Sequence, residues 1–186
     1  RRYSGDGSGK LWSWKVLGGT DVIVKEARID DRLIHGQIVT TWIQQTQAKA
    51  ILVADEEAVG DEFQKDMLKL ACPARIQLIV TGFEKAASLI AQDPTQYEVM
   101  VIVRNPEAAR RMTELGFRPE HWTVGNITGR KTDLERKKIL KYLLPTKKDA
   151  EDLKAIAEAG VKVTAQSVPG EKQYDCMALL EKAGMI

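Results

Sequence analysis

The chain has 186 residues, 44% of them apolar and 29% charged, and its 28 basic and 26 acidic side chains give a net charge of +2. That length supports one good core but not a second full domain. Charges of both signs are mixed along the sequence, which excludes a polybasic nucleic-acid footprint, and no run approaches the ~20 apolar residues of a membrane span.

Residues 1–20 hold glycines and serines around Trp12 and Trp14, with no apolar stretch of signal-peptide length, and read as a leader or linker remnant ahead of a domain over residues 21–186. Val22-Ile23-Val24 reads as a buried strand, Arg28 to Gln37 as a polar loop, and Ile38, Val39, Trp42 and Ile43 recur at the spacing of a buried helical face. Ala50 to Ala54 is a continuous apolar strand that stops at the acidic turn Asp55-Glu56-Glu57. The next helix carries Phe63, Met67, Leu68 and Leu70, with Met67 and the nearby Cys72 assigned to the core. Pro73 ends it, Ile76 to Val80 makes a strand, Phe83 to Ile90 an amphipathic helix, and Tyr97 to Val103 another buried strand.

Asn105-Pro106-Glu107 opens a helix that Gly116 closes. Trp122-Thr123-Val124 is a short strand running into Gly125-Asn126-Ile127-Thr128-Gly129, whose glycines would let backbone approach a ligand closely. Ile139 to Leu144 is a candidate edge strand stopped by Pro145, Thr146 to Ala159 is a capped helix, and Val161 to Ala165 is the final strand. Strands this apolar, alternating with helices, imply a three-layer α/β fold: a mostly parallel central sheet, helices on both faces, and room for an antiparallel edge strand. Cys72 and Cys176 lack metal-ligand spacing and read as free thiols, and His121 as a structural or surface histidine.

The stretch Arg28-Ile29-Asp30-Asp31-Arg32-Leu33-Ile34-His35-Gly36-Gln37 organises the chain. It leaves the carboxyl end of a strand and enters a helix, the position where parallel α/β sheets bind ligands and where free helix N–H groups attract anions. A histidine, titrating near ~6.5, offers a ring nitrogen for attack on phosphorus at neutral pH. Arg32, three residues earlier, is placed to neutralise a transferring phosphoryl group, with Arg28 beside it. One of Asp30 and Asp31 would orient the imidazole while the other ties the loop to backbone or to an arginine. Gly36 lets the backbone come close to phosphate, and Gln37 is a donor. Asp55 is either a helix N-cap or a supporting group, and Arg104, Asn105, Gly125 and Asn126 are candidate lining residues at other strand ends.

This motif resembles the active-site signature of the enzyme IIB components of the mannose/fructose/sorbose family of the bacterial sugar phosphotransferase system. The similarity runs on through Ile51 to Asp55, Val103 to Pro106 and Val124 to Ile127. The resemblance implies a cytoplasmic phosphocarrier, peripherally associated with a membrane permease. It would accept a phosphoryl group on His35 from a IIA protein and pass it to a sugar held by membrane IIC and IID partners. It requires no metal or cofactor and leaves a homo-oligomer open. The rivals are a non-covalent nucleotide or sugar-phosphate module and an unphosphorylated regulatory homologue. The absence of Gly-x-Gly-x-x-Gly argues against a dinucleotide, and the intact loop against the regulatory form.

Overall fold

The computed structural model describes residues 21–91, 96–129 and 135–186, so the leader reading of residues 1–20 and part of the charged stretch after Gly129 lie outside the described residues. The strands are β1 (Asp21–Asp30), β2 (Ala50–Ala54), β3 (Gln77–Thr81), β4 (Gln96–Val103), β5 (His121–Asn126), β6 (Lys162–Ala165) and β7 (Tyr174–Asp175). They form one sheet in the order β3-β2-β4-β1-β5-β6-β7. Every pairing is parallel except that of β6 with β7.

Period-two alternation sorts the central strands between two cores. Ile51 and Val53 of β2, with Met100 and Ile102 of β4, share one core with α1 (Gly36–Thr46), α2 (Glu56–Gly60) and α3 (Glu62–Ala71). The alternate residues Ala50, Leu52, Val99 and Val101 join the other, with α4 (Phe83–Ala91), α5 (Pro106–Glu114), α6 (Lys147–Glu158) and α7 (Cys176–Lys182). Both faces of the sheet are covered, so its central strands need apolar residues at every position. This is the three-layer α/β fold expected from the sequence.

Helix ends follow local chemistry. The Asn105 side chain accepts from the Ala108 N–H with Pro106 next to it, and Thr146 and Asp149 form a reciprocal capping box at the start of α6. Gly116 takes φ +96° just past α5, a left-handed turn that a side chain would strain.

Five expectations change. Val22-Ile23-Val24 is strand, but Ile23 is 42% exposed and Val24 half-buried rather than buried, because β5 pairs with β1 only from Arg28 onward. Arg28, Ile29 and Asp30 are the last residues of β1 rather than loop; Ala27 and Ile29 enter one core while Arg28 and Asp30 point to the opposite face and pair with each other. Ile139 to Leu144 is not an edge strand. It folds back on itself, Leu140 and Leu143 bonding each other, and lies beside Ile127, whose N–H donates to the Tyr142 carbonyl and whose carbonyl accepts from the Leu144 N–H. The antiparallel edge is instead the two-residue β7, and β6 is therefore not the final strand. Met67 is 51% exposed and packs into no core, because α3 buries only Leu68.

Candidate functional site

β1 lies between β4 and β5, and the helix that follows it covers one face while those following β4 and β5 cover the other. The carboxyl end of β1 therefore opens into the crevice between diverging connections. The loop Asp31 to His35 is anchored there by its apolar members: Leu33 and Ile34 are buried with Val39 and Trp42, which turns Arg32 and His35 outward. Leu33 holds φ +56°, a left-handed conformation costing about 1 kcal/mol or more for a non-glycine residue, and its burial and an N–H bond to the Asp30 carbonyl keep it in place.

His35 occupies the N-cap position of α1 with extended backbone (φ −135°, ψ 97°), but its side chain makes no cap bond. Among the described residues no hydrogen bond reaches the exposed imidazole. The first turn of α1 carries no acidic residue, so the positive end of the helix dipole is uncompensated. Gly36 takes φ +39° with open space where a side chain would stand, and Gln37 is exposed beside it.

Beneath the loop, Arg28 is only 1% exposed. Its Nη1 donates to the Gln166 carbonyl at 3.3 Å and its Nη2 to the Ser167 carbonyl at 3.2 Å and to Asp30 at 3.5 Å. The guanidinium stacks 4.5 Å from the Trp42 ring centroid, and the Trp42 indole N–H donates to the same Ser167 carbonyl at 3.0 Å. Burial lowers the pKa of Arg28, opposed by the charge of Asp30. Arg28 is therefore buried beneath the loop rather than exposed beside Arg32, which corrects the expectation that the two stand together at the phosphoryl group. Gly125 is corrected by the same contact: the group that comes close to it is the guanidinium of Arg28, not a ligand.

Neither aspartate bonds the imidazole. Asp30 accepts from the backbone N–H of Arg32 at 3.1 Å and from its Nε at 3.2 Å, which orients the arginine and leaves its two terminal nitrogens facing outward. Asp31 accepts from Thr128 N at 2.9 Å, Thr128 Oγ1 at 3.2 Å, Gly129 N at 2.7 Å and the Asn126 amide, riveting the His35 loop to the end of β5. Asp55 is both N-cap and ion-pair partner. Its Oδ1 accepts from Ala58 N at 2.7 Å, while Arg104 grips both its oxygens at 2.6 and 2.8 Å. That hydrogen bond raises the pKa of Arg104, which also donates to Gln64 at 3.0 Å. Asn105 spends its side chain capping α5.

The crevice thus brings together His35, Arg32, Asp30, Asp31, Asn126, Gly36 and Gln37, with Arg28 and Gly125 supporting from below. Asp55, Arg104 and Asn105 fasten the neighbouring strand ends. Sequence reasoning missed Thr128, Gln64 and the Gln166–Ser167 turn. Thr128 lay inside the flagged glycine loop, while the other contacts exist only after folding. Among the described residues no group of three or more His, Cys, Asp or Glu could hold a metal ion, and no helix is long and apolar enough to cross a membrane.

Fold and crevice define a parallel α/β protein with an unbonded histidine at an anion-attracting helix N-terminus. The family model of the sorbose-subfamily IIB component of the phosphotransferase system (PTS) matches residues 24–186. The PTS fructose-specific EIIB component of Bacillus subtilis (strain 168) is 29% identical over 157 residues, covering 83% of this chain and 93% of the relative. The PTS mannose-specific EIIAB component of Escherichia coli (strain K12) is 27% identical over 170 residues, 90% of this chain and 52% of that longer protein. Among solved structures, the PTS N-acetylgalactosamine-specific IIB component 1 of Escherichia coli superposes with a TM-score of 0.75 at 26% identity, covering 82% of this chain and 98% of that one. The chain belongs to the sorbose subfamily of PTS IIB components, and its role is that of a phosphocarrier in sugar uptake.

Proposed function

We propose that His35 is the residue that carries the phosphoryl group, received from a IIA protein and passed to a sugar held by membrane IIC and IID components. The observation that carries this reading is the exposed, unbonded imidazole of His35 at the uncompensated N-terminus of α1. In the first step a ring nitrogen attacks phosphorus, the new N–P bond forms as the donor's bond to phosphorus breaks, and the electron pair of that bond stays with the donor. In the second, a sugar hydroxyl oxygen attacks, the N–P bond breaks, and the hydroxyl proton leaves to the imidazole or to solvent. Such a transfer depends on positioning and charge more than on covalent chemistry by the protein.

Arg32 supplies the charge, because Asp30 holds its Nε and aims the remaining fork outward. The open N–H groups at the start of α1 receive phosphoryl oxygens, and Gly36 offers no side chain to obstruct them. Arg28 acts from underneath by fixing Asp30 and the Gln166–Ser167 turn. The EIIAB relative, which by name joins an EIIA to an EIIB in one protein, supports a IIA donor. The working location on this reading is the cytoplasmic face of a sugar permease.

The test is reconstitution. Membrane vesicles bearing IIC and IID should phosphorylate their sugar from phosphoenolpyruvate, the general PTS proteins and IIA only when this chain is added. Sugar phosphate formed at the same rate without it would refute the assignment.

A further inference from the structure

Residues 137–148 hold five lysines, Lys137, Lys138, Lys141, Lys147 and Lys148, and no acidic residue. The fold gathers them. The Lys137 N–H donates to the Pro145 carbonyl at 3.1 Å, so the two ends of the stretch lie side by side, and between them Ile139 and Leu140 turn back on Leu143. Leu143 is fully buried and Ile139, Leu140 and Tyr142 pack against the same core, while all five lysines are exposed. Arg136 closes the base, donating to the Leu144 carbonyl at 2.9 Å and to Asp149 at 3.4 Å. Lys137 reaches the Ala183 carbonyl and Lys148 reaches Asp152, while Lys138, Lys141 and Lys147 form no ion pair among the described residues.

This lysine turn stands on the rim of the crevice. Its Tyr142 carbonyl and Leu144 N–H bracket Ile127 at 2.7 Å each, one residue past β5, and Asp31 of the His35 loop is bonded to Asn126 and Thr128 on either side of Ile127. Charge divides accordingly. With the five lysines set apart, the chain has 23 basic and 26 acidic side chains, a net charge of −3. Lysines crowded on one turn repel one another, and an anionic surface facing the rim relieves that repulsion.

We propose that this turn docks on the anionic phospholipid headgroups of a bilayer and so directs the crevice toward the membrane. The benefit of that orientation, though not the binding, rests on the reading of His35 as the phosphoryl carrier. Composition selects lipid over protein as the occupant. Protein interfaces are built around aromatic and arginine anchors and are depleted in lysine, and none of the five large hydrophobic residues exposed among the described residues lies on the turn. Clustered lysines suit a surface of mobile phosphates, where each contributes roughly fivefold in binding. The negative remainder of the chain is repelled by the same surface, so binding selects one orientation.

Co-sedimentation of the full chain with lipid vesicles tests this. At low ionic strength the protein should pellet with phosphatidylcholine vesicles containing about one-third phosphatidylglycerol and not with phosphatidylcholine alone, and salt at about 0.5 M should release it. The double variant Lys138→Glu, Lys141→Glu, at exposed positions, should bind at least about tenfold more weakly with an unchanged melting curve, and Lys138→Arg, Lys141→Arg should bind as the wild type does. A wild type that binds both vesicles alike, or neither, overturns the proposal. So does a glutamate variant that binds undiminished, or an arginine variant that does not bind. Phosphoryl acceptance from soluble IIA, without vesicles, should be unchanged in the glutamate variant, and its loss would assign the lysines to the donor protein instead. Vesicle binding needs no phosphoryl transfer, so it stands or falls separately from the assignment of His35.

Discussion

The guanidinium of Arg28 fills the space into which a side chain at residue 125 would grow: a Cβ on Gly125 would stand 1.7 Å from Nη2 and 2.4 Å from Cζ. Arg28 cannot withdraw without abandoning Asp30, two carbonyls and the Trp42 ring together. The glycine is therefore required by packing of the protein against itself.

Gly125→Ala should accordingly destabilise the fold by about 3 kcal/mol or more, the cost of stranding a buried charge away from its partners. Urea denaturation measures it. A variant within about 0.5 kcal/mol of wild type, the range of an ordinary surface substitution, would mean that Arg28 relocates freely.

Arg32 has a different expected signature, in rate rather than in stability, because its side chain is about a third exposed while its partner Asp30 is buried. Removing a charge contact of this kind in Arg32→Ala should slow phosphoryl transfer by on the order of a hundredfold, and Arg32→Lys should restore only part of it for want of the planar fork. Rapid-quench transfer from the IIA donor reads both. Transfer at the wild-type rate in Arg32→Ala would place the stabilising charge on the donor.

His121 and Glu26 face each other across β1 and β5 at 3.8 Å, and the nearby Glu26 carboxylate raises the histidine's pKa. A folded-state pKa above the unfolded value means that the native state holds the extra proton between the two. The pair's stabilisation is thus fully present below about pH 6.5 and is lost as pH rises through the folded pKa. Thermal melting should show this decline on going from mildly acid to mildly alkaline pH, and His121→Gln should flatten it. An unchanged slope in the variant would assign the decline to other groups.

How much the sequence disclosed depended on whether a signal was local. The apolar strands of β2 and β4, the caps at Asn105 and Thr146, and the strand-to-helix placement of His35 could all be read from neighbouring residues. Arg28 and Asp30 misled because a buried ion pair inside a strand has the composition of a loop. Ile139 to Leu144 misled in the opposite way, since an apolar run that packs through a tight turn looks like a strand. The aspartates' partners were illegible: those of Asp31 lie 95 to 98 residues away, and Asp30 serves the two arginines instead of the histidine. Met67 misled because α3 buries Leu68 in its place, and helical spacing alone does not specify which of two neighbouring apolar residues faces the sheet.

The central claim is that His35 is the phosphorylated residue, and the intact mass of the protein after incubation with phosphoenolpyruvate, the general PTS proteins and IIA tests it most directly. The wild type and His121→Gln should each gain one acid-labile phosphoryl adduct, while His35→Gln, folded as judged by its melting curve, should gain none. An adduct of undiminished stoichiometry on His35→Gln, or its loss from His121→Gln, would contradict the account.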